Sequence, residues 1–286
     1  MDSSAVGVNL SSLAGYNLSA AIQTAGRMDF QAIGLAAYAG LRGRRGEIPG
    51  FWFDDLTEEE IDHLKRSLRR FERVIIQAPS EDVPLFTYNR GVQREAMRQV
   101  FFSIEAAWML GARLVTVRAN PKRGFALKEY WREMAEVFRE IGDFADGCSI
   151  RVAVETGFPD AYKEYTKLFL EIDHDAVGAA IHVGELRPYL PRDRQGDGVE
   201  FYNDLLMSLF QMLGSKVFHV RLSDASAPDW EGGQAIGLGS VEIEPVLGFL
   251  DEIHYEGGLE LSLTEPDAEQ ALRASRARVE MMLQNL

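Results

Sequence analysis

Short apolar runs, rich in Val, Ile, Leu and Ala, alternate with longer amphipathic stretches from one end of the chain to the other. The runs read as strands near Ala5–Leu10, Ala32–Ala36, Arg73–Gln77, Arg113–Arg118, Ile150–Glu155, Ala176–His182, Lys216–Leu222 and Gly258–Leu263. Helical periodicity fills most of the intervals. The clearest case is Thr57–Phe71: Thr57 stands at the N-cap, Glu60 completes a capping box, and Ile61, Leu64, Leu68 and Phe71 share a face. Others run near Val92–Leu110, Leu127–Ala145, Tyr162–Ile172, Val199–Leu213, Ile243–His254 and Asp267–Leu283, with Gly111, Gly147 and Gly214 where C-caps are expected. Strands that alternate with helices predict a parallel sheet, and eight is the number that closes it into a (β/α)8 TIM barrel. No linker or low-complexity segment interrupts the alternation, so residues 1–286 are expected to form one domain.

In such a barrel the polar residue at the carboxyl end of each strand points into a shared mouth. The runs RVAVETG, VGAAIHVGEL and VFHVRLSD therefore nominate Glu155, His182 and Arg221 as neighbours in space. Alternation along a strand puts His219 on the same face as Arg221, and Glu260 on the same face as Ser262, each roughly 6–7 Å deeper. Ala153 and Ala180 leave room beside them. Glu155, Glu260, Arg221, His182 and His219 can thus form a polar cluster whose charges nearly cancel, as buried charges require. A hydrogen-bonded network filling an inactive mouth is as good a reading as a catalytic one.

Two connections leaving carboxyl ends are longer than a barrel needs, residues 37–56 and 185–198. They carry Arg42, Arg44 and Arg45, and Arg187, Arg192 and Arg194. Arginines there suit a phosphate or carboxylate clamp, or a solvated rim paired with the chain's many acids, which is the favoured reading. Phe51-Trp52-Phe53 is read as packing on its own barrel, with a lid or subunit contact as the alternative. Asp224 either orients its neighbours or caps a turn. Gly237-Leu238-Gly239-Ser240 lacks the third glycine and the strand-to-helix setting of a dinucleotide site.

The net charge of -14 argues against a nucleic-acid partner, whose phosphates need a basic surface. The lone Cys148 allows no intrachain disulfide, points to a reducing compartment, and is read as a small buried residue. No apolar stretch approaches the ~18 residues of a membrane helix, and the start lacks a signal-peptide pattern. A cytoplasmic protein with no membrane partner is expected.

Several segments together resemble the xylose isomerase-like barrels, the superfamily of sugar-phosphate isomerases and epimerases. AAWMLGARLVTV is similar to the family's entry to strand four, RVAVETG to strand five, VGAAIHVGEL to strand six and KVFHVRLSD to strand seven. GLGSVEIEPVLGFL and HYEGGLELS follow in the family's order. The resemblance implies a mouth that holds a divalent metal with a Glu, an Asp, a His and a second Glu on strands five to eight. Here strand five keeps Glu155, but His182 stands for the Asp, Glu185 for the His that follows it, Arg221 for the strand-seven His and Ser262 for the second Glu. Gln77 stands where strand three of the family ends in His. A guanidinium offers no lone pair and cannot ligate a metal.

The expectation is therefore a degenerate site with no cofactor, although Glu155, His182 and Glu185 remain conceivable as an unorthodox metal set. In the enzyme reading, a sugar or sugar phosphate is isomerised or epimerised. Glu155 is then the base, His182 a second acid/base and Arg221 the stabiliser of an enediolate oxygen, with Glu185, His219, Glu260, Ser262 and Gln77 lining the ligand. The alternative is a non-catalytic barrel that binds a small polar ligand or a partner protein.

Overall fold

The computed structural model describes residues 6–43, 45–191 and 198–286. Eight parallel strands close into a barrel: β1 (Val6–Asn9), β2 (Ala32–Ala36), β5 (Arg73–Gln77), β6 (Leu114–Val117), β7 (Arg151–Glu155), β8 (Val177–His182), β9 (Val217–Leu222) and β10 (Leu259–Leu261). Two further short strands, β3 (Arg42–Gly43) and β4 (Gly46–Glu47), form an antiparallel hairpin inside the long connection after β2. Among the described residues eight α-helices surround the barrel: α1 (Leu18–Arg27), α2 (Glu58–Leu68), α3 (Arg90–Leu110), α4 (Leu127–Gly147), α5 (Tyr162–Ile172), α6 (Val199–Leu213), α7 (Ile243–Glu252) and α8 (Ala268–Gln284). None of them is long and apolar enough to cross a membrane.

The strands lie within a residue or two of the apolar runs because both faces of a parallel strand are buried, which writes near-continuous hydrophobicity into the sequence. The outward faces, such as Val115, Val152, Val154, Ile181 and Val220, are fully buried against the helices and build the main core. Thr57 and Glu60 close the expected capping box on α2. Among the α-helices of the described residues, α1 is the one the periodicity did not announce, and the β3–β4 hairpin was likewise unannounced. The α1 sequence LSAAIQTAGR holds a single large apolar residue in its interior, Ile22, so small residues form its buried face. Asn17 starts it by accepting from the Ala20 amide at 2.9 Å. Gly111 ends α3 in the left-handed conformation, whereas α4 runs through Gly147 and ends on Cys148. That cysteine is half-buried, not the fully buried residue its sequence setting suggested.

Inside the barrel the layers differ in chemistry. At the bottom, Phe218 packs with Ala153 and Ala180, and Leu114 lies against them. A register shift between β8 and β9 accompanies this arrangement, and the Arg151 guanidinium lies 4.0 Å from the Phe218 ring centroid. The space left by the two alanines is thus filled by an aromatic ring. Above this plug the interior turns polar.

Candidate functional site

The strand ends deliver their polar side chains to one point. Glu155 ends β7 and His182 ends β8, while Arg221 stands one residue before the end of β9 with its Cα opposite that of His182. Glu260, in the middle of β10, lies opposite Arg221 in the neighbouring register. All four are buried, with Glu155 and Glu260 only 1% exposed.

Glu260 organises the lower half. Its Oε2 accepts from Arg221 Nε at 2.9 Å and from Asn9 Nδ2 at 3.0 Å, and lies 3.2 Å from His219 Nε2. Its Oε1 rests against Gly34 of β2: a Cβ at that position would stand 1.6 Å from the oxygen. Gly34 is therefore the residue that makes room for the carboxylate. Burial acts to raise the Glu260 pKa, but the Arg221 charge, helped by His219 and Asn9, outweighs it and holds the group at about 2.

Glu155 organises the upper half. Arg118, one residue beyond β6, donates from Nε to Glu155 Oε2 at 3.1 Å. Arg221 Nη2 lies 3.7 Å from Glu155 Oε1, and His182 Nε2 lies 3.9 Å from Oε2. Burial again works against the ionised form, while His182, Arg221 and Arg118 together hold the carboxyl at about 2. His182 Nδ1 meets Glu185 Oε2 at 3.3 Å, and Glu185 too is held below the usual carboxylate range, by His182, Arg221 and Arg118 against its desolvation. For Arg221, burial disfavours the charge, but Glu260, Glu155 and Glu185 more than compensate and raise its pKa. Tyr38, just past β2, is pushed up to about 12, mainly by burial and next by Glu155.

Six of the eight sequence-nominated residues, Glu155, His182, Arg221, Glu185, His219 and Glu260, form this one contiguous network. Ser262 and Gln77 stand half-buried at the ends of their strands, and no hydrogen bond joins either side chain to it. Sequence reasoning passed over Arg118, Asn9 and Tyr38. The strand-end rule that nominated Glu155 applies equally to Asn9 and Arg118, which end or follow apolar runs. Tyr38 carried no such signal.

One arginine of the long connections departs from both sequence readings. Arg45 is neither clamp nor solvated rim: it donates to the backbone carbonyls of Ser12 and Leu263 at 2.9 Å each, and to that of Glu265, pinning the β3–β4 hairpin to the barrel. Arg42 and Arg187 are exposed, while Arg44, Arg192 and Arg194 lie outside the described residues. Phe51 is buried in the core, with Trp52 and Phe53 half-buried beside it. Asp224 ties the following loop together, accepting from the amides of Ala225, Gly237 and Val241 at 2.8–3.0 Å.

The network does not suit a divalent metal. Among the described residues no group of three or more His, Cys, Asp or Glu side chains converges as a metal site. That holds for Glu155, His182 and Glu185 as well. The donors that could share an ion are instead separated and neutralised by Arg221, whose guanidinium reaches both Glu155 and Glu260.

What the cluster lacks is complete hydrogen bonding. Glu155 Oε1, His182 Nε2, Arg221 Nη2, Glu260 Oε1 and His219 Nδ1 are all buried without a hydrogen bond to the protein. Native interiors seldom leave such groups unpaired, and a concentration of five marks a place where water or a ligand completes the set.

The sequence matches the family described as xylose isomerase-like TIM barrel over residues 22–282. No curated protein matches it. Solved structures share its fold over nearly the whole length at low identity. A D-tagatose 3-epimerase-like protein is 20% identical, with a TM-score of 0.71 and 98% of both chains covered. The D-psicose 3-epimerase of Clostridium cellulolyticum H10, solved with D-tagatose, is 12% identical, with a TM-score of 0.73 and coverage of 97% of this chain and 99% of that one. The IOLI protein, solved with a bound zinc atom, is 15% identical, with a TM-score of 0.74 and 98% of both chains covered.

Proposed function

The chain belongs to the xylose isomerase-like TIM barrel family, and on that premise we propose that it takes a small sugar, sugar phosphate or similar polyol into the barrel mouth and isomerises or epimerises it without a metal ion. The observation that carries this reading is the set of unpartnered buried polar atoms around Glu155 and Arg221. Glu155 Oε1 and Arg221 Nη2 stand 3.7 Å apart with neither in a hydrogen bond, so the two can face one ligand together, the guanidinium donating to a hydroxyl or carbonyl oxygen and the carboxylate meeting the adjacent C–H.

In the reaction, Glu155 removes the proton from the carbon next to the carbonyl. The C–H electron pair moves into an enediolate, whose oxygen is stabilised by Arg221. Return of the proton by Glu155 to the neighbouring carbon, with the hydroxyl proton passing to the former carbonyl oxygen, gives the isomer; protonation of the original carbon from the opposite face by His182 gives the epimer, and the proton left on Glu155 exchanges with solvent. Glu260, His219 and Asn9 hold Arg221 from below, and Glu185 fixes the ring of His182. Ser262 and Gln77 are placed to meet the rest of the ligand from the strand ends. A carboxylate held at about 2 is a feeble base, but the value depends on its neighbours, His182 first and Arg221 next. As negative charge develops on the substrate oxygen, Arg221 is drawn to it, and Glu155 gains proton affinity as the proton arrives. We place this activity in the cytoplasm, in keeping with the single cysteine.

The same low value, together with the sealing of Glu155 from solvent, favours a second reading: a barrel that binds its small polar ligand without turning it over. The test is a screen of sugars and their phosphates in D2O for loss or exchange of a carbon-bound proton by NMR, with EDTA present. Glu155→Gln keeps the shape and removes the basicity, so exchange should fall by ~10²–10⁴ while the fold is retained. Exchange that survives the substitution moves the chemistry away from Glu155. Binding without exchange for every ligand establishes the second reading.

A further inference from the structure

Arg118 joins the sealed cluster to an outer carboxylate, Glu81, that lines an open cleft. Its side chain is 33% exposed, whereas the Glu155 carboxylate beneath it is 1% exposed. On the outer side stands Glu81, 59% exposed, with its Oε1 3.8 Å from Arg118 Nη1. Glu81 lines a cleft of about 390 Å³ with Tyr38, Leu41, Trp52, Ser80 and Gln99. Tyr38 is close enough to Glu155, Arg221, Arg118 and Glu81 to sense all four charges. The buried Glu155, Arg118 and Glu81 thus form a chain of ion pairs whose outer member stands on the wall of the cleft.

Two features leave this arginine a second position to take up on a fixed base. The loop that carries it is pinned: Asn120 Nδ2 donates to the Ser80 carbonyl at 2.9 Å, and the Ala78 amide donates to Thr116 O at 2.9 Å. The guanidinium itself holds Glu155 by one N–H only, not by the two-point fork that makes arginine–carboxylate pairs rigid. A second carboxylate already waits within 3.8 Å, so leaving Glu155 does not leave the cation unpaired.

We infer that Arg118 is the gate of the barrel mouth, closing over Glu155 in the resting state and swinging outward to Glu81 when ligand enters from the cleft. The inference rests on Glu155 as the group that the ligand must reach. The swing bares Glu155 Oε2 and leaves Arg221 as the remaining guanidinium beside the carboxylate. One motion therefore supplies both access and a stronger base. Arg118 is on this account a positioning residue, with Glu81 its outer rest.

The test follows the side chain directly in the intact protein. With arginine labelled by ¹⁵N, the Arg118 Nε–Hε signal is assigned from its loss in Arg118→Lys. The wild type should show relaxation dispersion at this site on the μs–ms timescale. In Glu81→Gln the outer rest is gone, and the dispersion should flatten. A flat profile in the wild type, or one unchanged by Glu81→Gln, overturns the gate.

A second readout is the ¹³C titration of the Glu155 carboxyl, which in Arg118→Gln should move upward from about 2 by a unit or more. An unmoved midpoint refutes the coupling of access to basicity, and thermal melting confirms that the variant is folded. Neither readout needs turnover. If no sugar undergoes exchange while Arg118 behaves as described, the proposed activity fails and the gate stands. The converse result separates them equally cleanly.

Discussion

Replacing Arg221 by alanine removes the cation shared by two buried carboxylates. Its partners are Glu260 at 2.9 Å and Glu155 at 3.7 Å, and neither can turn to water, since each is 1% exposed. Breaking a buried ion pair by deleting one partner costs ~3–5 kcal/mol, because a charge is left uncompensated. Arg118 and His182 still serve Glu155, whereas Glu260 keeps only Asn9 and His219, so most of the loss is expected at Glu260. The pH dependence adds a signature. In the wild type both carboxyls are held at about 2, below their unfolded values. Their contribution to stability is therefore fully present above pH ~4.5 and is lost as the pH falls towards 2. In Arg221→Ala the orphaned Glu260 carboxyl rises above its unfolded value. That penalty is full at neutral pH and relieved as the pH drops through the new folded pKa. Urea unfolding followed by circular dichroism should thus give a gap between wild type and variant of ~3–5 kcal/mol at pH 7 that narrows at pH 5. A gap below ~1 kcal/mol would mean that the guanidinium reaches solvent. A gap independent of pH would mean that the loss is packing, not charge.

Gly34→Ala should destabilise by ~1–3 kcal/mol through overpacking and shift the Glu260 carboxyl ¹³C signal, since the new methyl group meets Oε1; a neutral change with an unmoved signal would contradict the placement of that carboxylate. Thr57→Ala removes the α2 cap and should cost ~0.5–2 kcal/mol in urea unfolding without altering any Glu155 or Glu260 titration. A shifted titration would reveal a coupling between the helix end and the mouth that the structure does not contain. Phe218→Ala should cost ~3–5 kcal/mol by emptying the barrel floor, and a loss under ~1 kcal/mol would show that the polar layer, not the ring, supports the interior.

The barrel was legible because every strand is buried on both faces and every long helix carries a regular apolar stripe. The exception shows the rule's physical limit: α1 buries alanine, threonine and glycine around a single Ile22, so a search for large apolar residues at helical spacing passes over its buried face. Strand parity placed Glu155, His182, Arg221, His219 and Glu260 together from sequence, since alternation fixes which way a side chain points. Two things lay beyond it. The sequence reading took its candidates from strands three and five to eight, so Arg118 and Asn9 on strands four and one escaped notice. Nor does parity foresee close approaches across the barrel, such as Gly34 yielding space to Glu260, or Arg45 reaching three backbone carbonyls from a hairpin. Those depend on the curvature of the closed sheet.

The central claim is that Arg221 stands where the family resemblance implies a divalent metal, and it is tested most directly by crystals grown with Mn²⁺ and measured at the manganese absorption edge. The account predicts no anomalous peak among Glu155, His182 and Glu260, with the Arg221 guanidinium bridging the two carboxylates. An ion coordinated by Glu155 and His182 at ~2.0–2.3 Å, with Arg221 turned aside, would contradict it.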